Sequence, residues 1–177
     1  MGFLDAEPPP QNNLLESLND QTLTLDGKDD VTVAYIDFAK AFDSVSHQKL
    51  CHKLLGYGIS GNMLTWIENF LSERIQCTRV NDSLSSSRQL LSSIIQGSCL
   101  EPILFVLYIN DNVKLFDEQC MCKLYADNMK LYTCTNFSDG ASMLQKYLAK
   151  LVHWSRIWQL NISHKKMLYI THSQYHM

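Results

Sequence analysis

The sequence lacks the features that would place it in a membrane, in a secretory pathway or around a zinc ion. No apolar run approaches the ~20 residues that span a bilayer, and the longest, Ile103–Ile109, reads as a core element. The opening Met-Gly-Phe-Leu-Asp-Ala-Glu-Pro-Pro-Pro has neither a basic start nor an apolar centre, so it does not read as a signal peptide. Myristoylation of Gly2 favours Ser or Thr at position six, where Ala6 stands. The six cysteines (51, 77, 99, 120, 122 and 134) include one Cys-x-Cys pair and no Cys-x2-Cys, which argues against a zinc site and for reduced core thiols. There is no internal repeat and no basic 5–8-mer for nuclear import. The expected location is therefore intracellular, cytoplasm or nucleus, with no secretion and no membrane partner.

The 177 residues are 46% hydrophobic and 19% charged, the composition of an ordinary globular protein, and one domain is the default for this length. The net charge of −3 argues at first against a nucleic-acid partner. Its distribution changes that reading. Residues 1–30 hold seven acidic side chains and one lysine, a balance of −6, so the remaining 147 carry +3. From Gly140 onward there are five basic residues (Lys146, Lys150, Arg156, Lys165 and Lys166) and no acid. Such a segment can meet a phosphate backbone, although solvated helix faces account for it equally well.

Apolar periodicity and turn chemistry divide the chain. Residues 1–12, rich in Pro, Asn and Gln, read as a disordered segment, and residues 13–177 as the folded domain. Helices are expected over Asn13–Leu25, His47–Leu55 (capped by Ser46), Asn62–Ser72, Pro102–Asn110 and Ser138–Trp158, with a short helical turn over Ala39–Val45. Val31–Asp37 is a nearly continuous apolar strand. Ile75–Val80 and Arg88–Ile95 read as paired strands around an Asn81-Asp82 turn, and Met167–Thr171 as the last strand. Cys120–Tyr125 and Met129–Thr133 flank Tyr125-Ala126-Asp127-Asn128, whose Asp-Asn pair reads as a two-residue hairpin turn. The sum is an α+β fold, a small mainly antiparallel sheet backed by helices.

Two carboxylates stand out. Asp37 ends an apolar strand and Asp127 sits at a hairpin tip. Taken singly, Asp37 reads first as a cap for the turn after it, and Asp127 as a turn residue. Presented together from strand ends, they supply what magnesium-dependent phosphoryl transfer needs.

The motifs around them carry a resemblance. Tyr35-Ile36-Asp37-Phe38-Ala39-Lys40-Ala41-Phe42-Asp43-Ser44-Val45 resembles the first palm motif of reverse transcriptases of non-LTR retrotransposons, of the jockey and chicken-repeat-like kind. Gln96-Gly97-Ser98-Cys99-Leu100, Pro102-Ile103-Leu104-Phe105 and Tyr108-Ile109-Asn110-Asp111 resemble the second motif and its helix. Tyr125-Ala126-Asp127-Asn128 resembles the Tyr/Phe-Ala-Asp-Asp hairpin, and Trp154, Trp158-Gln159-Leu160 and Lys165-Lys166 the region beyond it. The match is colinear from about Asn13 to Ile170.

The resemblance implies a palm with part of the fingers, and roles residue by residue. Asp37 and Asp127 would hold two Mg²⁺ ions with help from the Phe38 carbonyl, and RNA template, DNA primer and dNTP would be the partners. Phe42 would lie under the incoming sugar and exclude a 2′-hydroxyl, a role that coexists with core packing. Gln96 and Gly97 would line the nucleotide pocket. Lys166, with Lys165 competing for the role, would donate a proton to pyrophosphate. The implied activity is RNA-directed DNA synthesis by two metals.

The departures are specific. Asn128 stands where the family has its second aspartate, Ile95 where it has proline, and Glu101 where it has glycine. The basic residues of the fingers and the thumb have no counterpart in the matched region. The expectation is a truncated domain that is impaired or inactive alone, or a non-enzymatic nucleic-acid-binding remnant of a retroelement. Oligomeric state cannot be read.

Overall fold

In chain order the elements are α1 (Pro10–Asp26), β1 (Asp30–Asp37), α2 (His47–Gly56), α3 (Gly61–Leu71), β2 (Ile75–Gln76), β3 (Arg79–Val80), β4 (Ser83–Leu84), β5 (Arg88–Gln89), α4 (Glu101–Ile109), β6 (Met121–Tyr125), β7 (Asn128–Thr135), α5 (Gly140–Trp158) and β8 (Leu168–His172). The computed structural model describes residues 10–135, 139–163 and 167–172. Two compact units result: Met1–Phe38 with Asn112–His153 and Ile162–Met177, and Ala39–Asp111 with Trp154–Asn161. Helix α5 contributes residues to both units. Helix α1 begins at Pro10, so the end of the segment read as disordered is helical; proline at a first helical position has no amide to leave unpaired. Among the described residues no helix is long and apolar enough to cross a membrane.

The first unit is built on a four-stranded sheet of order β6-β7-β1-β8, with all three pairings antiparallel. Paired residues share a face, so Val31, Val33, Tyr35 and Asp37 lie on one side, together with Tyr132, Lys130 and Asn128. Helix α1 lies against that side. Leu25 packs on the Val31, Val33 and Tyr132 cluster, and Lys123 pairs with Glu16 at 2.7 Å. Lys130 donates to the Ser17 hydroxyl and the Tyr132 hydroxyl donates to Asp20. The opposite side carries Ala34, Ile36, Met129, Leu131 and Leu124, all buried. In α5, Leu144, Leu148 and Leu151 are buried at the i, i+4, i+7 spacing of one helix face.

The second unit packs α2 with α3 and α4. The Ser46 hydroxyl accepts the Lys49 amide at 3.5 Å and so caps α2, as its position before the apolar run predicts. Gly58, in the left-handed region at φ +85°, ends it. On the buried side of α2, Lys53 lies between Leu50 and Leu54. Its ammonium donates to the Tyr108 carbonyl and the Asp111 carboxylate, and stands 3.8 Å from the Trp158 ring centre, 4.9 Å from Trp154 and 5.0 Å from Tyr108. Burial lowers its pKa to about 8, with Asp111 pulling the other way. A lysine in an aromatic cage was not foreseen from sequence, although a lysine on the apolar stripe of α2 was its signal.

One pairing differs from expectation. Ile75–Val80 does not run against Arg88–Ile95 along its length; β2 pairs β5, β3 pairs β4 around Asn81-Asp82, and the run ends at Gln89. Residues 91–94 lie instead along 42–47, through Ser93 N–H to Val45 O (2.9 Å), Ile94 N–H to Phe42 O (3.0 Å) and a Ser46–Ser92 bridge. Ser93, at φ 91°, leaves the extended conformation and turns the chain, burying Ile94 while Leu91 stays exposed.

Candidate active site

Strand β1 delivers Asp37 to the end of the sheet because its apolar run must stay buried up to that point. Asp37 is only 8% exposed, Asp127 is half-buried and Asn128 exposed. The pairing of β1 with β7 continues to the last residue and sets Asp37 directly opposite Asn128. One step further, the Phe38 amide donates to the Asp127 carbonyl at 3.3 Å, and the Ser163 amide donates to the Asp37 carbonyl at 2.8 Å. Four of the expected site residues, Asp37, Phe38, Asp127 and Asn128, therefore meet at one end of one sheet.

The hairpin itself sits one residue earlier than the sequence suggests. Its turn residues are Ala126 and Asp127, with Tyr125 paired to Asn128. Asn128 is drawn out of the turn and into β7 because it has ladder partners on both sides, Tyr125 and Asp37. The left-handed conformation then falls on Ala126, at φ 50°. The Asn128 side-chain Nδ2 donates to Asp127 Oδ1 at 3.3 Å, a contact that an aspartate at 128 could not make.

In the second unit, Phe42 is half-buried with its ring centre 4.4 Å from that of Phe105, so it does pack into the core of that unit. The ladder between 42–47 and 91–94 places the loop after Ile94 beside Asp43. Gln96 Nε2 donates to Asp43 Oδ1 at 3.1 Å, and the Gly97 amide donates to Glu101 Oε2 at 2.5 Å. Gly97 has φ +79°, a conformation that favours glycine. Lys166 and its competitor Lys165 lie outside the described residues.

The profile of the family described as reverse transcriptase (RNA-dependent DNA polymerase) matches residues 4–176. The chain belongs to this family. Among curated relatives, it is 28% identical over 156 residues to the probable RNA-directed DNA polymerase from transposon BS of Drosophila melanogaster, covering 81% of this chain and 16% of that protein. It is 25% identical over 154 residues to the RNA-directed DNA polymerase from mobile element jockey of the same fly, covering 83% of this chain and 17% of the relative. The chain thus spans about a sixth of the length of these reverse transcriptases. Among solved structures, apo telomerase from Candida tropicalis, truncated from its C-terminal domain, aligns with a TM-score of 0.68 at 11% identity, over 96% of this chain and 36% of that one. Telomerase from Candida albicans, in complex with a fragment of telomeric RNA, aligns at 0.69 and 11% identity, over 96% and 31%. At that identity the likeness shows the fold, and the fold is reverse-transcriptase palm-like α+β.

Reverse transcriptases generally depend on divalent metal ions. The side chains at the end of this sheet offer hard oxygens: two carboxylates and the neutral Asn128 carboxamide. Among the described residues no group of three or more His, Cys, Asp or Glu could hold a metal. Two carboxylates still suit Mg²⁺, which keeps one or two protein carboxylates and completes its shell with water and substrate phosphates. The donor set fits the ion, with one charge fewer than an aspartate at 128 would provide.

Proposed function

We propose that the chain supplies the palm of an RNA-directed DNA polymerase, adding dNTPs to a primer 3′-hydroxyl on an RNA template, and that Asn128 leaves this copy impaired. One observation carries the reading: β1 and the β6–β7 hairpin bring Asp37 and Asp127 to one end of the same sheet, with Asn128 opposite Asp37 and the Asp127 carbonyl bonded to the Phe38 amide. Asp37 and Asp127, with the Phe38 carbonyl, would hold two Mg²⁺ ions. When bound, the ions make the primer hydroxyl a better nucleophile and neutralise the leaving pyrophosphate. Everything else falls to the protein. The backbone bonds from Phe38 to Asp127 and from Ser163 to Asp37 fix the main chain from which the two carboxylates project. Asn128 orients Asp127 by hydrogen bonding but adds no charge. Phe42, packed on Phe105, is assigned its role against the sugar by the family resemblance, as are Gln96 and Gly97 theirs toward the nucleotide. Lys166 is the proposed proton donor to pyrophosphate.

Primer extension on an RNA template with Mg²⁺ or Mn²⁺ tests this. The expected result is weak extension that disappears in Asp37→Ala and rises in Asn128→Asp. Extension indifferent to Asp37→Ala, or robust in the unaltered chain and unimproved by Asn128→Asp, would overturn it.

A further inference from the structure

We propose that Glu101 is a built-in competitor for the Gln96-Gly97 loop, occupying the backbone donor that a nucleotide phosphate would otherwise take. The proposal rests on the reading of that loop as nucleotide-binding. The Gly97 amide gives its hydrogen to Glu101 Oε2 at 2.5 Å, a charge-assisted bond of the stronger kind. The other loop donor, Gln96 Nε2, is engaged by a second carboxylate, Asp43, at 3.1 Å. The Ser98 amide turns back onto the Ile95 carbonyl at 3.1 Å. The Gly97 amide hydrogen and one Gln96 side-chain hydrogen are therefore both given to carboxylates of this chain.

Space is not the obstacle. A Cβ built on Gly97 would meet nothing within 4 Å, so the loop is open on that side of its backbone. On the side of its N–H stands a carboxylate. A carboxylate and a phosphate cannot share one amide hydrogen, and two anions brought side by side repel. Glu101 is also held where it is, because it occupies the first turn of α4, where the helix favours a negative group. Where the family carries glycine at this position the loop amide has no such partner. The bland alternative is that Glu101 only steadies the loop, in which case removing it leaves nucleotide affinity unchanged or worse.

The experiment uses the 177-residue chain, Glu101→Gln and Glu101→Ala. Amide hydrogen exchange at Gly97 reports the contact, and titration with dGTP in the presence of Mg²⁺ reports binding. Both variants should exchange faster at Gly97 and bind dGTP about tenfold more tightly, as the loss of one competing charge-assisted hydrogen bond implies. Unchanged exchange would show that the contact does not hold the amide and would overturn the proposal. Faster exchange with equal dGTP affinity in all three proteins would overturn it too, while leaving the loop a nucleotide site. Faster exchange with no binding by any of them would remove the nucleotide reading of the loop and the proposal with it.

Discussion

Ala126 holds the β6–β7 hairpin turn in the left-handed region at a cost. An L-residue other than glycine at φ 50° costs roughly 1–2 kcal/mol, and alanine lacks the polar side chain with which Asn or Asp softens that penalty. Ala126→Gly should relieve it. After subtracting glycine's extra freedom in the unfolded chain, a gain of about 0.5–1 kcal/mol is expected, read as a higher midpoint in urea. A midpoint unchanged or lowered would show that the backbone at 126 is not strained in solution. The residue scale is also where the sequence reached its limit. Asp37 and Asp127 were legible because strand ends and hairpin tips leave a chemical signature. The register of the hairpin was not. With Ala126-Asp127 as the turn, Leu124 pairs with Met129; with Asp127-Asn128 it would pair with Leu131. Both residues are apolar and buried, so the alternation of side chains fits either register and does not choose. Only the third strand, which pairs Asn128 with Asp37, decides.

At the scale of the element, α2 is organised around a charge that its apolar stripe would not suggest. Lys53 is buried among Tyr108, Trp154 and Trp158 with Asp111 as its counter-ion. Removing one member of such a pair costs about 3–5 kcal/mol, whereas an apolar side chain of similar volume is often tolerated. Lys53→Ala should be strongly destabilising and Lys53→Met much less so. The pH dependence carries a definite sign. Between about pH 8 and the ordinary lysine range near 10.5, the unfolded chain still holds the Lys53 proton that the folded chain has released, so stability from this residue rises with pH. Buried Cys120 and Tyr108, both raised to about 12, pull the total the other way at high pH. The difference between wild type and Lys53→Met isolates the lysine. It should move in favour of wild type by about 2 kcal/mol from pH 7 to pH 10. A constant difference would mean that the ammonium is as well solvated as in the unfolded chain. Helices α2 to α5 were readable from period and caps alone, but a cage assembled from residues 53, 108, 154 and 158 depends on contacts far apart in sequence that no local pattern encodes. The same holds for residues 91–94, which chose 42–47 as neighbours over the hairpin beside them.

At the scale of the whole molecule, the chain is a reverse-transcriptase palm whose colinear motifs were visible in sequence, and whose departures gain meaning only in three dimensions. Asn128 faces Asp37 across the ladder and bonds to Asp127, so it touches both positions proposed to hold metal. An aspartate there would set like charges directly opposite, unfavourable until a cation arrives. Asparagine removes that repulsion and, in the proposed site, one charge that would attract a metal. Glu101 similarly reads in sequence as one stray acid, and in the fold as the partner of the Gly97 amide. Both side chains make hydrogen bonds within the chain. The most direct measurement is a Mn²⁺ titration of the wild-type chain and of Asn128→Asp, each with and without Asp37→Ala, read by calorimetry. Restoring one carboxylate beside a divalent ion should tighten binding by about tenfold or more, and Asp37→Ala should abolish the gain. Equal affinity in wild type and Asn128→Asp, or a gain that survives the loss of Asp37, would contradict a shared metal site at the end of this sheet.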